Sequence, residues 1–246
     1  MTIKQHRAHF NKSLKHLYPT SEIDSFFFLI LEEYMGLKRI DIVLKSDFLI
    51  DKKSLNLMQI ATKQLEQEIP IQYIIGKTEF FGLPFHVNKE VLIPRPETEE
   101  LVEQVLKKVS LIKTCNSSKN ETIKEKQLKV LDIGTGSGCI AISLKKQLPS
   151  SEVSALDVSN KALRVAKKNA FLNNVDINFV HQDILKTNDL DKLYDVIISN
   201  PPYVRELEKK EIKNNVLNNE PHLALFVDNK NPLLFYNKIA ELAKKF

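Results

Sequence analysis

Lys129-Val130-Leu131-Asp132-Ile133-Gly134-Thr135-Gly136-Ser137-Gly138-Cys139 is the stretch on which the fold turns. A short, largely apolar run from Lys129 to Ile133 reads as a strand, and the helical pattern from about Cys139 to Gln147 reads as the element that comes after it. Between them, Gly134, Gly136 and Gly138 permit a tight turn and let a ligand approach the backbone closely. The first turn of a helix carries N–H groups without intrahelical partners and the positive end of the helix dipole, so a polar ligand is expected there. Any tight strand-to-helix connection also needs glycine, and the loop alone does not decide the ligand.

Downstream, strands and helices alternate. Glu152 to Leu156 is a second strand, Asn160 to Asn173 a second helix and Ile177 to His181 a third strand. Tyr194 to Ser199 is a fourth, an apolar run of the kind covered on both faces, and a helical pattern resumes after Pro232. This alternation predicts an open, mostly parallel α/β sheet that binds its ligand at the carboxyl ends of the strands. Asp157 comes after the second strand, roughly 20 residues beyond the loop, where an acid can accept from the hydroxyls of a ribose. A dinucleotide fits that much, but the glycines here are spaced G-x-G-x-G and not G-x-G-x-x-G. With Asp132 before them they resemble the loop of class I methyltransferases, which implies S-adenosylmethionine. Asp183, after the third strand, can accept from an adenine amino group, and Ile184 can cover the ring. Alone, an aspartate there is more often a cap or turn former.

Asn200-Pro201-Pro202-Tyr203, at the end of the fourth strand, is the most specific signal. Two prolines after a polar residue at the end of a buried strand are more than a stiff loop requires. An amide-type nitrogen is a poor nucleophile, because its lone pair is delocalised into the neighbouring π system. To be methylated it must be held with that lone pair toward the incoming carbon. The Asn200 side-chain oxygen and the Pro201 carbonyl can each accept one amino hydrogen. Tyr203 can pack on the planar group, and Pro201 and Pro202 keep the backbone from losing entropy on binding.

Upstream, the chain reads as helices. Apolar residues recur every three or four positions around Ile3 to Leu17. Ser21 can cap a helix that Gly36 ends, Ile40 to Leu44 offers a short one, and Asp51 or Ser54 can start another that Pro70 stops. Phe80 to Val91, with Gly82 and Pro84 inside, reads as a hairpin or extended linker, and a helix is expected from Glu97 to Val109. Thr114 to Lys126 is of low complexity and reads as a loop. The expected organisation is a helical domain over 1–75, a linker over 76–96 and a catalytic domain over 97–246.

The bulk properties exclude more than they assign. The 246 residues are 43% hydrophobic, enough to bury a core, and the longest apolar runs are too short to span a bilayer. No apolar segment comes after the charges of the first residues, so no export signal is expected, and two cysteines give no disulfide framework; a reduced, cytoplasmic setting is expected. The net charge of +5 owes part of its excess to the lysine-rich stretch Lys113 to Lys129, and no basic run alternates with aromatics. No direct nucleic-acid or membrane partner is expected. The six histidines are scattered, and no metal is expected.

Taken together, the motifs resemble the release factor glutamine methyltransferase family (PrmC/HemK). The resemblance also covers Pro70-Ile-Gln72-Tyr73-Ile-Ile-Gly76, Phe80-Phe-Gly82, Leu92-Ile-Pro94-Arg95-Pro96-Glu97-Thr98-Glu99, and Glu220-Pro221 with Ala224-Leu225-Phe226. It implies a Rossmann-like class I methyltransferase fold with a small N-terminal helical bundle that recognises the protein substrate. It implies methyl transfer from S-adenosylmethionine to the Gln amide nitrogen of the Gly-Gly-Gln motif in peptide chain release factors. Gly134, Thr135, Gly136, Ser137, Gly138, Asp157, Asp183, Ile184 and Asn200 are then expected at the cofactor, and Asn200, Pro201, Pro202 and Tyr203 at the reaction. Two departures stand out. Val227-Asp228-Asn229-Lys230-Asn231 replaces a glycine-rich run, and the resemblance implies a further strand and hairpin beyond Phe246. An N-methyltransferase on adenine or guanine shares the Asn-Pro-Pro-Tyr motif but needs a target-recognition domain or basic groove. A non-catalytic module would bind cofactor or release factor without turnover.

Overall fold

Helical periodicity in the first part of the chain becomes one cluster of helices, and the alternating pattern after it becomes a parallel sheet. The computed structural model describes residues 1–44, 47–117 and 127–245. The chain divides into two units, Met1–Gly76 with Asn214–Asn219, and Lys77–Lys213 with Glu220–Phe246.

The first unit contains α1 (Ile3–Leu14), α2 (Thr20–Met35), α3 (Arg39–Leu44), α4 (Lys52–Glu66) and α5 (Ile71–Ile75), with a short helix at Asn214–Asn219. Thr2 and Gln5 form a reciprocal cap on α1, and Asp51 accepts from the N–H groups of Lys53 and Ser54 to start α4. Helix α2 begins two residues earlier than the Ser21 cap implies. Pro19, whose ring fixes φ and which has no N–H to satisfy, leads straight into Thr20, so Ser21 lies inside the helix. Gly36 ends α2 in the left-handed region, at φ 65°. Phe10, Leu14, Phe27, Ile30, Leu31, Met58 and Leu65 fill the core, with the Phe10 and Phe27 rings edge-to-face at 5.5 Å. Among the described residues no helix is long and apolar enough to cross a membrane.

The second unit opens with the hairpin of β1 (Lys77–Phe80) and β2 (Leu83–His86). Phe81 and Gly82 both take positive φ, 52° and 71°, as a two-residue hairpin turn demands. Helix α6 runs from Pro96 to Ser117, past the Val109 end expected from sequence and into the polar stretch read as a loop. Polarity does not stop a helix that meets no glycine or proline, and none stands between Val109 and Ser117. The rest of that expected loop, 118–126, lies outside the described residues.

Next come β3 (Lys129–Ile133), α7 (Cys139–Gln147), β4 (Glu152–Asp157), α8 (Asn160–Leu172), β5 (Asn178–His181) and β6 (Val196–Ser199). The sheet is parallel throughout, in the order β5-β4-β3-β6. Strands β3 and β4 are buried almost along their whole length. The apolar run of the fourth strand meets apolar groups on both sides, Val196 and Ile198 in one cluster and Ile197 in another. Among the described residues β6 is an edge strand, and only Ile198 of its four residues is buried. Apolar composition reports that a strand faces other apolar groups, not how many neighbours flank it. The C-terminal helix, Leu234–Ala243, sends Leu242 into a cluster with Leu131, Ile133, Leu156 and Ile184.

One buried amide joins the glycine loop to the hairpin. Asn169, on α8, accepts from the His86 N–H at 2.7 Å and donates to the His86 and Ser137 carbonyls, both at 2.9 Å. It is fully buried, so a replacement without polar atoms leaves three backbone groups unpaired. We expect Asn169→Leu to lower unfolding stability by about 2–4 kcal/mol in urea denaturation. A loss under about 0.5 kcal/mol would show that the amide is not a structural link.

Candidate functional site

The parallel register brings the sequence-marked residues to one edge of the sheet. Ile133 is level with Leu156 on one side and Ser199 on the other, and Asp157 is level with His181. The chain therefore leaves β3 at Gly134, β4 just past Asp157, β5 just before Asp183 and β6 at Asn200, all at the carboxyl ends. The Ser199 hydroxyl donates to the Ile133 carbonyl at 2.6 Å, tying the residue before Asn200 to the residue before Gly134.

Within the glycine loop the N–H groups of Gly134 and Thr135 donate to the Leu156 carbonyl, that of Gly138 to Thr135, and that of Gly136 to Asp157 Oδ2 at 2.8 Å. What the loop offers is space. A Cβ built on Gly134 or Gly136 meets nothing within 4 Å. At Gly138, with φ +84°, it would lie 2.9 Å from Ile142 Cδ1 and 3.2 Å from Ala166 Cβ, so this glycine serves helix packing.

Two acids lie beside the loop. Asp157 is buried; its Oδ1 accepts from the Ser159 N–H and its Oδ2 from Gly136, which leaves each oxygen a second lone pair. Burial holds its pKa above the ordinary value, against the pull of the Ser159 and Gly136 N–H groups. Asp132 is wholly buried. One carboxylate oxygen accepts from the Thr135 hydroxyl at 2.6 Å, and Oδ1 has no partner. Burial pushes its pKa up to about 7, opposed by the Thr135 and Ala141 bonds and reinforced by the charge of Asp157. Open space over two glycines, with Asp157 bonded to the loop and keeping lone pairs to spare, fits a polar ligand.

Asp183 caps a short 3-10 turn, Ile184–Lys186: its Oδ1 accepts from the Leu185 N–H at 3.0 Å, and its Oδ2 lies 3.2 Å from Lys186 Nζ. Ile184 packs into the cluster with Leu131 and Leu242 and is 5% exposed. Asn200 is half-buried and donates from Nδ2 to Thr98 Oγ1 at 3.1 Å; its oxygen accepts no bond from the described residues. Pro201 is buried, Pro202 half-buried, and Tyr203 is 59% exposed. Just after Tyr203, Val204–Arg205 pairs in parallel with Phe226–Val227. Sequence reading gave no role to Thr98, Asn169 or the Asp132 oxygen. Thr98 and Asn169 are recognised by the partners the fold brings to them, and those partners stand tens of residues away in the chain.

Comparison with known proteins covers the stretches of chain that carry these residues. A family model described as PrmC N-terminal domain matches residues 5–76, and one described as Methyltransferase small domain matches 118–224. A release factor glutamine methyltransferase of Flavobacterium psychrophilum is 54% identical over 245 residues, covering 100% of this chain and 82% of that protein. One of Bacteroides thetaiotaomicron is 41% identical over 239 residues, covering 97% and 81%. One of Lactococcus lactis is 43% identical over 194 residues, covering 79% and 66%.

The raised pKa of Asp132 gives a pH signature. Its folded value, about 7, lies above the ordinary 3.8, so the folded state binds more protons between those values and loses stability as pH rises through them. Asp132→Asn removes that loss. We expect its melting temperature, measured against wild type from pH 4 to 8, to gain steadily on the wild-type value. A difference that stays constant across the range would contradict a buried, reluctantly ionised Asp132.

Proposed function

The chain belongs to the release factor glutamine methyltransferase family, and from that premise we propose that it methylates the glutamine side-chain amide of the Gly-Gly-Gln motif in a peptide chain release factor. The methyl donor is S-adenosylmethionine, which when bound supplies an electrophilic methyl group on a sulfonium. The observation that carries the reading is Asn200, at the end of β6, with its nitrogen tied to Thr98 and its oxygen left open, succeeded by two prolines and an exposed tyrosine.

The residues of the chain then divide the work. Asn200 Oδ1 and the Pro201 carbonyl each accept one hydrogen of the substrate NH2, which turns the nitrogen lone pair along the line of transfer. Pro201 and Pro202 hold that pair of acceptors without a conformational cost at binding. Tyr203 packs on the face of the planar amide. A nitrogen that has gained a methyl while still bearing two hydrogens is a strong acid and gives its extra proton to solvent water as the product leaves, so positioning does most of the work and a dedicated base is not required. At the donor, Gly134 and Gly136 leave room, Thr135, Ser137 and Gly138 shape the turn, Asp157 takes the ribose hydroxyls, Asp183 takes the adenine amino group and Ile184 supports the ring.

The helical unit recognises the protein substrate in this reading. A release factor works on the ribosome, so the setting is the cytoplasm.

Radiolabel transfer tests the assignment. Purified release factor incubated with the enzyme and methyl-labelled S-adenosylmethionine should take up label, and its Gln→Ala variant in the Gly-Gly-Gln motif should not. Equal labelling of the two factors, or labelling of nucleic acid in place of either, would overturn it.

A further inference from the structure

A side-chain amide has two ends of nearly equal size, and nothing in its shape decides which one faces a substrate. For Asn200 the choice matters. Its oxygen can accept from a substrate NH2, whereas its own NH2 would meet that group donor to donor. In the structure it is the nitrogen end that has a partner. Asn200 Nδ2 donates to Thr98 Oγ1 at 3.1 Å, across 102 residues of sequence. Thr98 is 7% exposed, so water competes little for that hydroxyl.

Thr98 is itself held in place. It lies in the first turn of α6, and its N–H donates to the Arg95 carbonyl at 3.0 Å. The Arg95 guanidinium donates to Glu220 Oε1 at 2.6 Å, and the Ile93 N–H donates to Glu220 Oε2 at 3.3 Å. The Glu220 side chain is 1% exposed, so one buried carboxylate grips both a side chain and a backbone group of the segment that leads into α6. Losing one partner of a buried charged pair is costly, which makes this anchor stiff.

We propose that Thr98 is a positioning residue that holds the Asn200 amide with its oxygen toward the substrate, and that the Arg95–Glu220 pair fixes the backbone carrying it. The role rests on reading Asn200 as the acceptor of the substrate amide. It adds a distinct requirement: the hydroxyl at position 98 acts only through Asn200.

Thr98→Val keeps the shape of the side chain and removes its hydroxyl, and Thr98→Ser keeps the hydroxyl. Single-turnover methylation of release factor should slow about tenfold in Thr98→Val, as expected for loss of one orienting hydrogen bond. Thr98→Ser should restore the rate to within about twofold. KM for release factor and the calorimetric affinity for S-adenosylmethionine should stay near wild type in both. In an Asn200→Ala background, Thr98→Val should cost nothing further, because the group it orients is gone.

A Thr98→Val rate equal to wild type would overturn the proposal. So would a faster one, since it would mean that the hydroxyl holds the oxygen and its removal frees it. A further loss in the Asn200→Ala background, failure of serine to rescue, or loss of cofactor affinity together with rate would make Thr98 a structural residue instead. A wild-type enzyme that leaves release factor unmethylated would overturn the proposed function itself, and the role of Thr98 with it.

Discussion

Parallel pairing of β3 with β4 on one side and β6 on the other is the constraint on which the rest of the molecule depends. Parallel strands all end in the same direction, so the loops that leave them open at one edge of the sheet. The register is level: Ile133 pairs with both Leu156 and Ser199, so Gly134, Asp157 and Asn200 come within one residue of the same line. A slip of one residue would send Asp132 to the opposite face and put a charged group where Leu131 or Ile133 now packs. The Ser199 hydroxyl on the Ile133 carbonyl, and the Leu156 carbonyl that accepts from both Gly134 and Thr135, hold the register at the end where the chemistry is proposed.

That arrangement is largely legible in the sequence because its signals are local. Lys129 to Ile133 is a strand by its own residues, the glycines announce the turn, and the helical run from Asn160 announces the next helix, which the structure shows capped by Ser159 accepting from the Ala162 N–H. The family resemblance reaches further, to the hairpin and the residues before α6. The features that stay hidden depend on partners distant in the chain. Asn169 reads as an ordinary helix residue until the hairpin brings His86 to it. Thr98 reads as one polar residue among glutamates until β6 delivers Asn200. The partners of the glycine-loop N–H groups are hidden in the same way, because the strand whose carbonyl takes two of them lies some twenty residues on. The end of α6 is hidden for a different reason. A lysine-rich, polar stretch is equally compatible with a solvated helix and with a loop.

The site holds its groups by unequal means. Asp132 is fixed by burial and one short bond from Thr135, at the cost of an acidic oxygen without a partner. Asp157 is fixed by two backbone N–H groups and retains capacity for more. Both carry raised pKa values for the same first reason, burial, and the charge of Asp157 makes Asp132 harder still to ionise. A cationic donor in the open space beside Gly134 and Gly136 would offset that penalty, which ties donor binding to the same acids that shape the loop. Asn200 is a neutral group, and this matters: a carboxylate there would attract the donor's charge before transfer and lose the attraction as the charge moves away.

Whether Asn200 acts as a neutral acceptor that aligns the substrate amide is therefore the point on which the account stands, and single-turnover rates on one release factor test it most directly. Wild type, Asn200→Asp and Asn200→Ala should rank in that order: the aspartate keeps an acceptor but adds a charge, and the alanine keeps neither acceptor nor alignment. Equal rates for wild type and Asn200→Ala would contradict the account, leaving Asn200 and the prolines after it as scaffold.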